Sequence, residues 1–402
     1  MKGIKQILMI FSCAVITAFS VATGNYAAIT TNSEYIENSL TVTGETALSV
    51  HLNNPLNVSE VYDEDGEFSY LGGARGIFIY GNYAYIASWG EHSLTIMDIT
   101  DPTNPVLKSE VFDGDGEFSK LRHAVSIDVK GDYAYVVSPG DHSLTIMDIS
   151  DPTNPKLMSE VYDGDGEFSL LHTARWVTVS GKYAYIASII DDSLTIMDIS
   201  DPTDPKLMSE VYDGDGEFLR LDGIYGVTVA GNYAYASSRI DKSLTIMDIS
   251  NPGDPKLMSE VYDGDGEFSR LNGARNSYIV GNYIYVVSNI DNSLTIMDIS
   301  DPTDPVLKSE VYDGDGKFSR LDGSHNVSVA GNYAYVAADR DDALTIIDVS
   351  DPTNPILVKE IYDGDGKFSL LDGAHTPFIN GKYIYLTSYK DNSLTVLDVS
   401  AM

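Results

Sequence analysis

The sequence of 402 residues predicts an all-β chain, a seven-bladed β-propeller of four-stranded antiparallel blades. Three observations predict it. A 50-residue unit recurs, marked by Ser-Glu-Val-Tyr-Asp at Ser59, Ser109, Ser159, Ser209, Ser259 and Ser309 and by Lys-Glu-Ile-Tyr-Asp at Lys359. Each unit carries four strand signals rich in Val, Ile, Thr and Tyr, bounded by Gly, Asn, Asp and Pro, with no helical spacing of useful length. The chain enters on an outer-strand sequence and leaves on three strands that lack one, so its two ends complement each other.

Residues 1–28 read as a signal peptide. Lys2 and Lys5 precede an apolar run from Ile7 to Ala22, with candidate cleavage after Ala22 or Ala27. An uncleaved anchor is the alternative. No other segment is apolar enough to cross a bilayer, so the mature chain is expected to have no membrane span. The single cysteine, Cys13, lies in this run, and the mature chain is expected to hold no disulfide. Residues 29–54 read as a polar linker or a degenerate strand, because Ser39-Leu40-Thr41-Val42 echoes a strand of the later units.

The propeller is expected over residues 55–402. In one unit the strands fall near Gly226–Ala230, Tyr233–Ser237, Leu244–Ser250 and Lys256–Tyr262. Leu244 and Ile246 share one face of the third strand, and Thr245, Met247 and Ile249 share the other. Apolar groups on both faces suit a strand stacked between two neighbouring blades. The Asp-Pro-x-x-Pro turns lie between strands, where proline removes no ladder hydrogen bond. Pairing Leu56–Tyr62 against Leu394–Ser400 would complete the last blade and remove two open edges.

Composition narrows the function. A formal net charge of −35 with no basic stripe excludes a nucleic-acid partner. A hydrophobic content of 43% is enough for a large core, so the acidity does not signal disorder. There is no Gly-x-Ser-x-Gly elbow, no cysteine nucleophile and no glycine-rich phosphate loop. The carboxylates recur in every unit, whereas a catalytic pair should be singular. Asp128 and Asp339 break the repeat, but in different columns. No enzyme is expected. The alternative is a secreted carbohydrate-active enzyme, a glycosidase or polysaccharide lyase.

Leu-Thr-Ile-Met-Asp-Ile-Ser-Asp-Pro-Thr-Asn-Pro-Lys-Leu, following Gly-Asn-Tyr-Ala-Tyr, resembles the LVIVD repeat of bacterial and archaeal exported proteins. It is also similar to the YVTN-type surface propeller repeats. The resemblance covers Leu56 to Ser400 and implies a propeller outside the cell or at its surface, a binding or adhesion scaffold usually without known catalysis. The Asp-Gly-Asp-Gly-Glu-Phe insertion in each unit departs from that pattern, and the resemblance implies no role for it.

Seven near-identical units allow an internal comparison. Constant positions serve packing and turns; variable ones are free of that duty. One variable column opens the innermost strand: Arg75, Val125, Arg175, Tyr225, Arg275, His325 and His375. Another follows the second strand: Trp89, Pro139, Ile189, Arg239, Asn289, Asp339 and Tyr389, with Arg340 in the next column. Both belong to one face of a propeller, at the mouth of the ring, where Trp176 also stands. Arg offers forked donors for carboxylate or sulfate, and aromatic faces stack on sugars or cations. The expected ligand is therefore anionic or carbohydrate-like, or a protein partner. The competing expectation is that these arginines pair with loop aspartates and only stabilise the ring. His92, His123, His142, His172, His325 and His375 fall on the same face, without a metal-binding spacing.

The acidic loops raise a calcium question. Asp113, Asp115 and Glu117, Asp163, Asp165 and Glu167, Asp213, Asp215 and Glu217, and Asp263, Asp265 and Glu267 are candidate weak calcium ligands. They do not fit an EF-hand: Gly266 falls two places early and Ala274 stands where the bidentate Glu belongs. Capping of turns is the structural alternative. No other cofactor is expected. Two sequons, at Asn57 and Asn326, would accept glycan in an exported chain.

Overall fold

The computed structural model describes residues 55–400 and, before them, the backbone of four short strands. These four form two antiparallel hairpins in a unit of their own, Gln6–Phe11 with Ala14–Phe19 and Ser39–Val42 with Leu48–His51. The echo at Ser39 is thus a strand, paired in a hairpin rather than in a blade. Ala22 and Ala27, the expected cleavage points, lie outside the described residues. Among the described residues no helix is long and apolar enough to cross a membrane.

Leu56–Ser400 form the propeller, seven sheets of four antiparallel strands laid down in chain order. Blades are numbered from 1, which opens at Ala74, to 7, which opens at Ala374. In blade 4 the strands are Ile224–Ala230, Tyr233–Ser238, Ser243–Asp248 and Lys256–Tyr262. The third ends two residues before its expected limit, because the Asp248 carboxylate accepts the Ser250 amide at 2.8 Å and turns the chain. The ring closes as expected. Leu56–Tyr62 pairs antiparallel with Ser393–Asp398, Thr395 opposite Glu60.

The core lies between blades. Tyr235, Leu244 and Ile246 of blade 4 pack on Leu271, Ile284, Val286 and Met297 of blade 5. Leu244, Ile246 and Met247 are fully buried, and each such side chain contributes roughly 1.5–3 kcal/mol. Polar seams reinforce this packing. In the loop after each second strand one residue adopts a left-handed conformation, with φ of 56° at His142 and 53° at Asp192. His, Asp and Asn tolerate that region best. In every blade but the fourth, where the residue is Lys242, its side chain accepts a backbone N–H of the next blade. Asp192 takes Gly223 at 2.7 Å, Asn292 takes Gly323 at 3.0 Å, and Asn392 takes Gly73 at 2.7 Å across the closure. His142 Nδ1 takes Thr173 at 3.0 Å.

The acidic loops are built on their own backbone. Gly164 (φ 82°) and Gly166 (φ 60°) make the turn, and the Gly164 amide donates to Phe168 O at 2.9 Å. Asp163 accepts the Leu171 amide at 3.3 Å, and Asp113 and Asp213 accept Leu121 and Leu221 at 3.3 and 3.1 Å. Glu167 and Glu217 reach forward to the Leu207 and Leu257 amides at 2.9 and 3.0 Å. This geometry speaks against the calcium expectation for Asp113, Asp163, Asp213, Glu167 and Glu217. Those five acids cap amides, and among the described residues no three His, Cys, Asp or Glu side chains are grouped to hold a metal. The Asn326 sequon fails as well: its amide is 5% exposed and donates to Thr376 Oγ1 at 3.2 Å.

Candidate ligand-binding site

In every blade but the second, the first variable column coincides with a β-bulge. Between first and second strands the register slips at Ala74/Gly76, Ala174/Trp176, Ile224/Gly226, Ser324/Asn326 and Ala374/Thr376. The residues left without a cross-strand partner are Arg75, Arg175, Tyr225, His325 and His375. In blade 5 the slip frees Arg275 together with Asn276. A bulge releases a side chain from strict alternation and re-aims it. Neighbouring inner strands close up tightly at this level. A Cβ on Gly76 would stand 2.5 Å from Val125 O, so only glycine fits there.

Around the mouth, guanidiniums and aromatic rings alternate. Arg75 Cζ lies 5.0 Å from the Tyr389 ring centroid and 4.5 Å from that of Trp89. Arg175 lies 5.2 Å from Trp89 and 4.9 Å from Tyr225, and Arg275 lies 4.8 Å from Tyr225. Arg175 Nη2 and Arg275 Nη1 donate to the Tyr225 hydroxyl at 2.6 and 3.3 Å. That hydroxyl is 3.1 Å from His325 Nε2. His325 lies against His375 with ring centroids 3.7 Å apart, and His375 Nδ1 is 2.9 Å from Thr376 Oγ1. The Asn289 amide oxygen, turned toward the donors, accepts from Arg275 Nη2 at 2.8 Å.

The charges are not compensated. Among the described residues no ion pair involves Arg75, Arg175 or Arg275. Burial, with Arg175 beside it, lowers the Arg75 guanidinium to about 10. Burial also lowers Arg275, partly offset by Tyr225 and Asp339. It pushes the Tyr225 phenol up, but Arg175 and Arg275 outweigh it and the pKa falls below the usual phenol value. Burial, then the charges around them, hold His325 and His375 well below the ordinary imidazole value, so both are neutral at pH 7. Asp339, which forms no ion pair among the described residues, is raised by burial although Arg275 and Arg340 pull it down.

Of the expected site residues, Arg75, Trp89, Arg175, Tyr225, Arg275, His325, His375 and Tyr389 come together. Trp176 instead packs against the core between blades 3 and 4. Arg239 is exposed, and Arg340 pairs with Asp322 at 3.0 Å. The pairing expectation therefore holds for Arg340 and not for the three arginines of the bulged column. Asn289 and Thr376 belong to the group but were not among the expected site residues. Asn289 stands in a variable column, which is the signal that would have found it. Away from this group, His123 stacks on Trp89 at 4.4 Å, and His172 meets the edge of His142 at 4.2 Å. Open grooves on the outer rim, such as that lined by Glu260, Asp265, Glu267 and Pro305, gather no comparable set of unpartnered groups.

Comparison with known proteins supports the architecture. The family model for the LVIVD repeat matches residues 71–113, 121–163, 173–213, 225–263, 273–313, 323–363 and 378–402. No curated protein matches the chain in sequence. Among solved structures, hydrazine synthase of Kuenenia stuttgartiensis is similar with a TM-score of 0.60 at 16% identity, over 85% of this chain and 100% of that one. The periplasmic gluconolactonase of Pseudomonas aeruginosa matches with a TM-score of 0.58 at 12% identity, over 72% and 85%. A functionally unknown protein of Desulfotomaculum acetoxidans gives a TM-score of 0.57 at 13% identity, over 79% and 90%. At such identities the likeness is one of fold.

Proposed function

The chain belongs to the LVIVD-repeat family, and on that premise we propose that it is an exported, non-enzymatic binding propeller whose ring mouth captures an anionic group. One observation carries the reading. In a chain of net charge −35, Arg75, Arg175 and Arg275 converge at the mouth with no carboxylate in ion-pair contact. A half-buried charge without a partner is costly, and an incoming anion lowers that cost. The aromatic rings cover the guanidinium faces and leave their N–H edges for the ligand. Calorimetry of the mature chain with sulfate, phosphate and glucuronate tests the reading. Binding is expected for the wild type and none for the variant carrying Arg75→Met, Arg175→Met and Arg275→Met; equal affinity in both would refute it. Export rests on Lys2, Lys5 and the apolar run, and an N-terminus found intact at Met1 in the purified native protein would count against cleavage.

A second reading, a carbohydrate-active enzyme, is favoured by one observation. Tyr225, drawn below the usual phenol value and touching His325, has the form of a proton-transfer pair. Incubation with uronate polymers, followed for unsaturated products, separates a binder from a lyase.

A further inference from the structure

The seams between blades differ in how they treat negative charge. Asp192 of blade 3 and Asp222, at the entry to blade 4, come within hydrogen-bonding reach of each other. Asp342 and Asp372 repeat this pair between blades 6 and 7. There Lys390 closes the pair, with Nζ 3.0 Å from Asp342 Oδ1 and 2.7 Å from Asp372 Oδ1. Three seams carry an aspartate at the entry position, Asp222, Asp322 and Asp372; the others have Gly72, Arg122, His172 and Asn272. Two of those aspartates meet a cation from one column, Arg340 on Asp322 at 3.0 Å and Lys390 on Asp372. At Asp222 that column holds Ile240. Among the described residues neither Asp192 nor Asp222 forms an ion pair.

The stems of Lys390 and Ile240 run alike. A Cβ on Gly373 would lie 2.8 Å from Lys390 Cγ, and one on Gly223 would lie 2.7 Å from Ile240 Cγ1. Isoleucine stops at Cδ1, where lysine continues through Cε to Nζ. Ile240 is 54% exposed and both aspartates are half-buried, so the pair is open to solvent. Burial raises the pKa of Asp192, and burial with the charge of Asp192 raises that of Asp222. Burial would raise Asp372 as well, but Lys390 outweighs it and holds the carboxyl below its usual value. Asp213 and Asp241 add to the negative field at Asp192. Arg220 pulls on Asp241, but its guanidinium lies over the Tyr262 ring at 3.5 Å.

We infer that the seam between blades 3 and 4 binds a primary ammonium group of another molecule, a lysine side chain or a free diamine, between Asp192 and Asp222, with the methylene stem along Ile240. The Lys390 ammonium, held by the equivalent carboxylates, shows the geometry of the bound group. A metal ion fits less well, since among the described residues no three acidic or histidine side chains are grouped to hold one. The site uses none of the arginines of the mouth and stands whether or not they bind an anion.

Titration calorimetry of the full chain with cadaverine and with N-acetyl-lysine amide tests this, in about 0.15 M salt to screen the general attraction of so acidic a chain. Both probes are expected to bind the wild type and Asn354→Lys, a control that adds one positive charge at an exposed turn. Ile240→Lys brings its own ammonium to the pair and should bind both probes about fivefold or more weakly. The double variant Asp192→Asn, Asp222→Asn should lose as much. Asparagine suits both places: Asn292 and Asn392 hold the loop position at φ 53° and 54°, and Asn272 the entry position. Equal affinity in the wild type, Ile240→Lys and the double variant overturns the site, as does no binding to the wild type. Tighter binding of either probe upholds the site and assigns the source, a free diamine for cadaverine and a protein partner for the lysine amide. Should Ile240→Lys not fold, the double variant still decides.

Discussion

Removing one arginine of the mouth should make the ligand-free protein more stable. In Arg75→Met the perturbation deletes a half-buried charge and keeps most of the side-chain volume. Burial holds the pKa of Arg75 well below the ordinary guanidinium value, at about 10. The folded state therefore disfavours the charged form by about 3 kcal/mol, at roughly 1.4 kcal/mol per pH unit. Because the folded pKa is the lower one, this penalty is fully present at neutral pH and is relieved only above about 10. Against the gain stand the contacts with Trp89 and Tyr389, which together are worth about 1–2 kcal/mol. The balance is a stabilisation of about 1–2 kcal/mol, a rise of roughly 2–4 °C in Tm. Thermal melts in a low-salt buffer of a large organic anion would measure it, repeated with sulfate. Sulfate stabilises proteins generally, so the readout is the difference between wild type and variant. That difference should favour the variant without sulfate and shrink or reverse with it. A variant less stable than wild type without sulfate, or a difference that sulfate leaves unchanged, would refute the claim that the mouth stores uncompensated charge.

Three further outcomes are expected. His325 and His375 have folded pKa values well below 6.5, so their contribution to stability is complete above about pH 6.5 and is lost as the pH falls below it. Urea midpoints at pH 8 and pH 5 should show a loss that is smaller in the His325→Gln, His375→Gln double variant; that comparison is needed because Asp128, raised by burial to about 6, acts in the opposite sense. Ser188 Oγ is buried without a partner, and blade 6 has Ala338 at the same place, so Ser188→Ala should be neutral or stabilise by about 1 kcal/mol in chemical denaturation. Gly76→Ala would set a methyl group 2.5 Å from Val125 O and should lower stability by about 1–3 kcal/mol, with a matching fall in Tm.

The blades were legible because their signals are local and repeated. Val, Ile and Tyr alternate with Gly-Asn and Asp-Pro turns, and the mismatch between the first and last units declares the closure. The gathering of Arg75, Arg175 and Arg275 was legible for a different reason: a constant scaffold makes its exceptions visible. What lay beyond the sequence was the third dimension of the side chains. Trp176 sits one residue past the bulge and points into the core between blades, although it neighbours Arg175 in the chain. The acids of the Asp-Gly-Asp-Gly-Glu loop suggested a metal because their spacing is dense. Only the structure shows Asp163 turned back to Leu171 and Glu167 turned away to Leu207. Asn326 looked like a glycan acceptor until its burial was known.

The bulge at the head of six of the seven inner strands separates two tasks that most β-sheets force on the same residue. A side chain within a ladder is tied to its cross-strand neighbour, and changing it disturbs the sheet. The residue at the slip owes nothing to the ladder. The ring therefore carries six positions free of ladder duty, read here as Arg75, Arg175, Tyr225, Arg275, His325 and His375. Any one of them can change while the blades stay as they are. A propeller of this kind can acquire a new ligand through a handful of substitutions at one level of the structure, without renegotiating its core.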